Sequence, residues 1–183
     1  MKVLIGLIIV LAVVVLWVIG AFNKFVKLRN IVEEAFSTMD VYMKKRFDLI
    51  PNLVETVKGY AAHEKGTFES VTNARAAVQN AGTVEDRMEA ENMLTGTLRT
   101  LFAVAEAYPE LKANENFLDL QGQLQTVEVD IANSRKYYNA TVKEYNTRTE
   151  MFPSNIIANI FGFKRKPMFE VEEAERQNVK VEF

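Results

Sequence analysis

Residues 25–49, FVKLRNIVEEAFSTMDVYMKKRFDL, put Phe25, Leu28, Val32, Ala35, Met39, Tyr42, Arg46 and Leu49 on one series of steps of three and four, and only Arg46 in it is polar. Spacing that averages 3.5 residues forms a narrow apolar seam on a helix, which buries itself against neighbours wound in a left-handed supercoil. Three more stripes follow: Ile50 to Val78, interrupted by Glu64 and Arg75; Val84 to Tyr108, less regular; and Phe117 to Phe152, the longest. Four stripes joined by short connections specify an antiparallel four-helix bundle, because each seam has to be covered by the others. No sustained alternation suggests a sheet, apart from the last five residues.

The punctuation fits these boundaries. Gly82 is expected in the left-handed position that ends a helix. Thr83 to Asp86 resembles a capping box, with Thr83 accepting from the next turn. Pro109 disfavours helical geometry at Tyr108, and Asn114 is placed to cap the fourth helix. Ser154 is expected to cap a short helix that Gly162 ends. Pro51 is tolerated in a first turn but kinks a helix interior, so a break or sharp bend is expected over residues 48–52. The fourth helix, residues 114–152, would be about 58 Å long.

Upstream, Val3 to Phe22 is twenty residues without a charge or a strongly polar side chain. As a helix it spans about 30 Å, the hydrocarbon thickness of a bilayer. Trp17, Phe22 and Phe25 gather toward its far end as a membrane-anchoring aromatic belt. The alternatives are a buried core helix and a cleaved signal peptide. The run exceeds the usual apolar region of roughly 7–15 residues in a signal peptide, so an uncleaved, single-pass anchor is expected. With no charge inside it, the span carries no sign of a channel or proton relay. Cations flank both ends, so the side of the membrane that the body occupies is left open.

The expected fold class is therefore all-α: an N-terminal transmembrane helix (1–23), an antiparallel four-helix bundle of long helices (24–153), a short amphipathic helix with a basic turn (154–169) and an acidic tail (170–183). In the third segment Phe161 and Phe163 run into Lys164, Arg165 and Lys166. Apolar side chains beside cations suit contact with anionic lipid, and a helix folded back to cap the bundle explains them equally well. In the tail, Val179, Val181 and Phe183 alternate with charges and could add a strand to another chain.

The chemistry excluded is extensive. The 183 residues hold no Cys and one His, with 22 Lys+Arg against 24 Asp+Glu for a formal charge of −2. Disulfides, thiolate metal sites and cysteine nucleophiles are ruled out, and no basic excess points to nucleic acid. A di-iron bundle needs Glu-x-x-His on two helices; three residues before His63 stands Tyr60. No catalytic, metal or cofactor-binding constellation is found, and no enzyme activity or cofactor is expected.

Residues 41–64, VYMKKRFDLIPNLVETVKGYAAHE, closely resemble the core motif of the LemA family, with Arg46, Asp48, Pro51, Asn52, His63 and Glu64 as its marked positions. A second block, Tyr108 to Asn114 with Asn116-Phe117 and Leu120-Gln121, resembles it too. So do Tyr137 to Asn139, Tyr145-Asn146, Phe152 to Ile156, Phe161 to Phe163 and Pro167 to Phe169. Membership implies a bacterial one-pass membrane protein with a helical-bundle domain and no established biochemical activity. Some relatives are linked to magnetosome membranes, and some lie near a membrane metalloprotease; others look like lipoproteins, a parallel that leans toward an extracytoplasmic body. Physically, Asp48 and Asn52 could satisfy backbone donors freed at Pro51. Lys44, Lys45 and Arg46 form one basic turn that either contacts a partner or is simply solvated.

The expected function is a membrane-anchored scaffold in the bacterial plasma membrane that self-assembles as a homo-oligomer, contacts membrane lipid and organises the bilayer. The alternative is an adaptor for another membrane protein, such as a membrane protease.

Overall fold

A computed structural model describes residues 1–170; the rest of the acidic tail, including the alternation at Val179, Val181 and Phe183, lies outside the described residues. The elements are α1 (Lys2–Lys58), α2 (Lys65–Asn80), α3 (Val84–Glu106), α4 (Pro109–Lys112), α5 (Glu115–Glu150) and α6 (Ser154–Phe161). The all-α class holds, with no strand among the described residues.

Two compact units divide the chain, one of residues 1–38 with 134–168 and the other of residues 39–133 with the segment from Phe169. In the second, α1 contributes Ile50, Leu53 and Val57 to a core that takes Phe68, Val71 and Val78 from α2 and Leu94, Leu98 and Leu101 from α3. Leu111 of α4 and Phe117 and Leu124 of α5 complete it. Short turns at 59–64 and 81–83 and the α4 corner make consecutive helices antiparallel. Along α1 the buried series is Met39, Met43, Arg46, Ile50, Leu53 and Val57, while Tyr42 and Leu49 are half-buried. Two steps of four in succession, Ala35 to Met39 to Met43, correct the drift that a strict seven-residue repeat accumulates on a 3.6-residue helix.

The break expected at residues 48–52 is absent. Pro51 sits inside α1. A proline there removes a hydrogen bond and costs about 3 kcal/mol, but Ile50, Leu53 and Val54 on either side are buried, and that burial outweighs the strain. The chain turns only after Lys58. Gly82 also differs from expectation: α2 ends through Ala81 at φ −60°, ψ 119°, and the one positive-φ glycine among the described residues is Gly162, at 73°. Thr83 does cap α3, its Oγ1 accepting from the Asp86 amide at 3.1 Å, and Asn114 caps α5 by accepting from the Phe117 amide at 3.0 Å. Ser154 does not cap α6; its hydroxyl donates to the carbonyls of Arg148 and Met151 at the end of α5.

In the first unit, Phe25 meets Tyr145 and Phe36 meets Tyr138, so α1 and α5 run antiparallel there. After Gly162 the chain lies along α5 as a strap. The Asn146 side chain holds it from both sides, donating to the Lys166 carbonyl and accepting from the Lys166 amide, each at 2.9 Å. The Tyr138 hydroxyl donates to the Pro167 carbonyl at 2.9 Å.

Emptying the core of the second unit has a defined effect. Leu94→Ala lowers stability by roughly 2–5 kcal/mol, whereas Gly96→Ala, with open space around the new methyl group, raises it by about 0.5–1 kcal/mol. Chemical denaturation followed by circular dichroism reads both.

Candidate functional site

Two places stand out, one in each unit. In the second unit Arg46 points into the core with none of its surface exposed. One guanidinium nitrogen donates to Glu91 Oε2 at 2.5 Å, and the other to Glu128 Oε1 at 2.7 Å and to Thr95 Oγ1 at 2.8 Å. Glu91, also fully buried, uses its second oxygen to accept from Arg87 Nε at 2.8 Å, and Arg87 reaches Asp40 at 3.1 Å. Burial alone would lower the Arg46 pKa; the charges of Glu128 and then Glu91 more than reverse this and hold it above its ordinary value. A groove of about 550 Å³ between α3 and α5 exposes part of this layer, with Thr95 and Glu128 in its wall.

Glu91 and Glu128 were not singled out by the sequence reading. The signal was present: the third stripe steps by six from Met88 to Leu94, and Glu91 fills the vacant position midway. A polar residue at a seam position of two helices is the mark of a shared layer. A slip of α3 by one turn would leave the Arg46 guanidinium without its carboxylate, so the pair sets register as well as charge.

The other motif positions separate from Arg46. Lys44 and Lys45 are exposed, so the basic turn is not one face, and Lys44 pairs with Asp48 at 3.1 Å. Asp48 therefore does not serve the backbone at Pro51, and exposed Asn52 contributes its carbonyl to the Thr56 hydroxyl at 2.8 Å. His63 is exposed in the turn before α2. Glu64 lies in that turn rather than in a helical seam and accepts from the Tyr108 hydroxyl at 3.3 Å. Arg75 stacks 4.2 Å from the Phe47 ring centroid. Among the described residues no three metal-ligating side chains converge.

In the first unit, α1 presents one stretch long and apolar enough to cross a membrane, and its side chains over residues 3–17 are exposed. Trp17, 41% exposed, is at its end. Phe25 is not an exposed belt residue: it is fully buried, stacked at 4.7 Å on Phe163 and edge-on to Tyr145 at 6.2 Å. Phe22 packs at 4.9 Å on Phe161 and 5.6 Å on Phe163. So α6 folds back, and Phe163 is a ring of the cluster; Phe161 keeps about half its surface exposed. Arg165 pairs with Glu150, and Lys166 with Glu33 at 3.3 Å, leaving Lys164 as the member of the triplet without an ion pair among the described residues. Beside the ring cluster an open groove of about 830 Å³ runs between α1 and the last turns of α5.

An all-helical chain with a bilayer-length apolar stretch defines a membrane-associated helical protein. The sequence pattern described as the LemA family matches residues 35–183, and the chain belongs to that family. It is 26% identical over 179 residues to each of two magnetosome proteins, MamQ 1 and MamQ 2 of Paramagnetospirillum magneticum, covering 84% of this chain and 66% of each relative. It is 24% identical over 166 residues to protein LemA of Metamycoplasma hominis, covering 88% of this chain and 74% of that protein. The chain thus spans just under two thirds of the length of those MamQ proteins. None of these names is that of an enzyme.

Two outcomes follow. Arg46→Met leaves buried Glu91 with Arg87 alone and half-buried Glu128 without its cation, which lowers stability by up to roughly 3–5 kcal/mol, and adding Glu91→Leu recovers part of the loss; a double-mutant cycle by denaturation measures both. Burial raises the Tyr145 pKa, with Arg29 opposing and Glu33 adding. The folded protein then holds that proton more tightly than the unfolded chain, so the contribution is intact below pH ~10 and lost as pH rises past the folded value. Tyr145→Phe removes that share of alkaline destabilisation in a pH series of melting curves.

Proposed function

We propose that this protein is a single-pass scaffold of the bacterial plasma membrane that self-associates and organises the bilayer around it. The observation that carries the reading is the continuity of α1 within the first unit. The exposed apolar run passes without a linker into Phe25, Leu28 and Val32, which are buried in the folded unit. A span joined this way transmits orientation, as a flexible tether does not. On this reading the span is an uncleaved anchor, and Phe161 and Lys164 add an interfacial contact.

Self-association is supported by a second stripe on α5 in the other unit. Leu118, Gly122, Gln125 and Val129 step by four, three and four, and all are exposed. Leu118 and Val129 leave 49% and 56% of their surface in water, and covering them with another copy's stripe is favourable. The relatives named as magnetosome proteins fit a role at a membrane.

The chain has no cysteine, so single cysteines report contacts cleanly. Val129→Cys in membranes gives a self-crosslinked dimer under mild oxidation, while Glu69→Cys on exposed α2 gives none. Crosslinks from Val129→Cys to one foreign protein alone would make the chain an adaptor. Monomers from both positions, together with monomeric sedimentation of the full chain, would end the scaffold reading.

A further inference from the structure

We infer that the groove in the first unit is a binding site for one anionic phospholipid, held beside the span with its phosphate away from the bilayer centre. The inference rests on the membrane reading above and names the lipid class for it. Trp17, Gly20, Ala21 and Lys24 line the groove from α1 and step by three, one and three, which is one face of a helix. The opposite wall comes from the end of α5 and the turn after it.

Because α1 and α5 are antiparallel in this unit, the walls match end to end. Trp17 and Ala21 lie level with Met151 and Phe152, and this end of the groove is apolar. Phe152 leaves 78% of its surface exposed and Met151 56%, which is unfavourable in water and favourable against an acyl chain. Toward the other end stand Lys24 and Lys143, with Arg148 between the two ends; these three cations face a single carboxylate, that of Glu144, which approaches Lys24 only at 3.9 Å. The order along the groove, apolar next to the span and cationic beyond it, is the order of a phospholipid from tail to phosphate. The groove's volume falls within the roughly 300–1,000 Å³ of small-molecule sites. Its apolar end is continuous with the apolar run through Trp17, so a lipid reaches it laterally from the bilayer. A net positive lining selects an anionic headgroup over a zwitterionic one.

Trp17 is the single tryptophan of the chain and lines the groove, so its fluorescence reads the occupant. Full-length protein goes into phosphatidylcholine vesicles containing a small, fixed fraction of lipid with brominated acyl chains, either phosphatidylglycerol or phosphatidylcholine. Brominated phosphatidylglycerol quenches Trp17 more strongly than brominated phosphatidylcholine. The preference falls about fivefold for each cation lost in Lys143→Gln and Arg148→Gln, the usual worth of one cation at an anionic surface. Lys143→Arg with Arg148→Lys retains it. Lys65→Gln, an exposed cation of the other unit, leaves it unchanged.

Equal quenching by the two brominated lipids, or equal loss in Lys65→Gln, overturns the site while leaving the membrane reading intact. No quenching by either lipid removes the span from the bilayer and overturns both. Abolition of the preference by millimolar inorganic phosphate makes a free anion the ligand and overturns the lipid assignment. Trp17 emission that shifts with protein dilution, without lipid preference, makes a second copy the occupant and overturns it too.

Discussion

A guanidinium with none of its surface in water must find its counter-charges inside the protein, and Arg46 finds them on two other helices. Glu91 comes from α3 and Glu128 from α5, and Glu91 in turn holds Arg87, which reaches back to Asp40 on α1. Apolar seams alone tolerate sliding, because one leucine contacts its neighbours nearly as well as the next. A buried charge does not, since a one-turn slip leaves it without a partner in a medium that solvates it poorly. In the second unit, the helix positions that allow Leu94, Val57 and Leu124 to share one core are the positions that bring Arg46 to both carboxylates. Net stability gained from such a layer is small compared with an apolar equivalent; its contribution is to make one arrangement preferable to its neighbours.

Much of this was legible from spacing. The periods of three and four gave the helices, and local capping chemistry at Thr83, Asn114 and Gly162 acted as those residue types should. Three features were not, each for a physical reason. Pro51 reads as a break because its penalty is local, whereas the burial of Ile50 and Leu53 that offsets it depends on helices far away in sequence. Glu91 left only a gap in a stripe, and a gap carries no sign of which distant charge fills it. The strap after Gly162 is held by Asn146 and Tyr138 bonding to backbone groups, an arrangement with no periodic trace. That fold-back also places Phe25, expected in the aromatic belt, against Phe163, for which lipid contact and a cap on the bundle stood equal.

The two candidate places follow different physics. The ion-pair layer is closed, with each of its charges paired inside the second unit, and it presents a ligand with little beyond the part of Glu128 that faces a groove. The groove beside Trp17 is the reverse: apolar surface left uncovered at one end and more cations than carboxylates at the other. Matched charges serve architecture, whereas unmatched charges next to bare apolar surface serve recognition. On that ground the proposed contact with the membrane falls to the first unit, and the specification of the fold to the second.

The continuity of α1 makes the groove specific. Trp17, Gly20, Ala21 and Lys24 occupy one face of the helix, and Phe25, Leu28 and Val32 occupy the adjacent one that is buried. With no joint between these stretches, the helix cannot turn the first face away without pulling Phe25 from between Phe163 and Tyr145. Packing in the ring cluster therefore determines which side of the apolar run faces the groove. A span connected through a non-helical linker would rotate freely and present no constant wall to a lipid. The aromatic cluster is thus the element that converts an apolar stretch, which alone would only anchor, into one side of a shaped site.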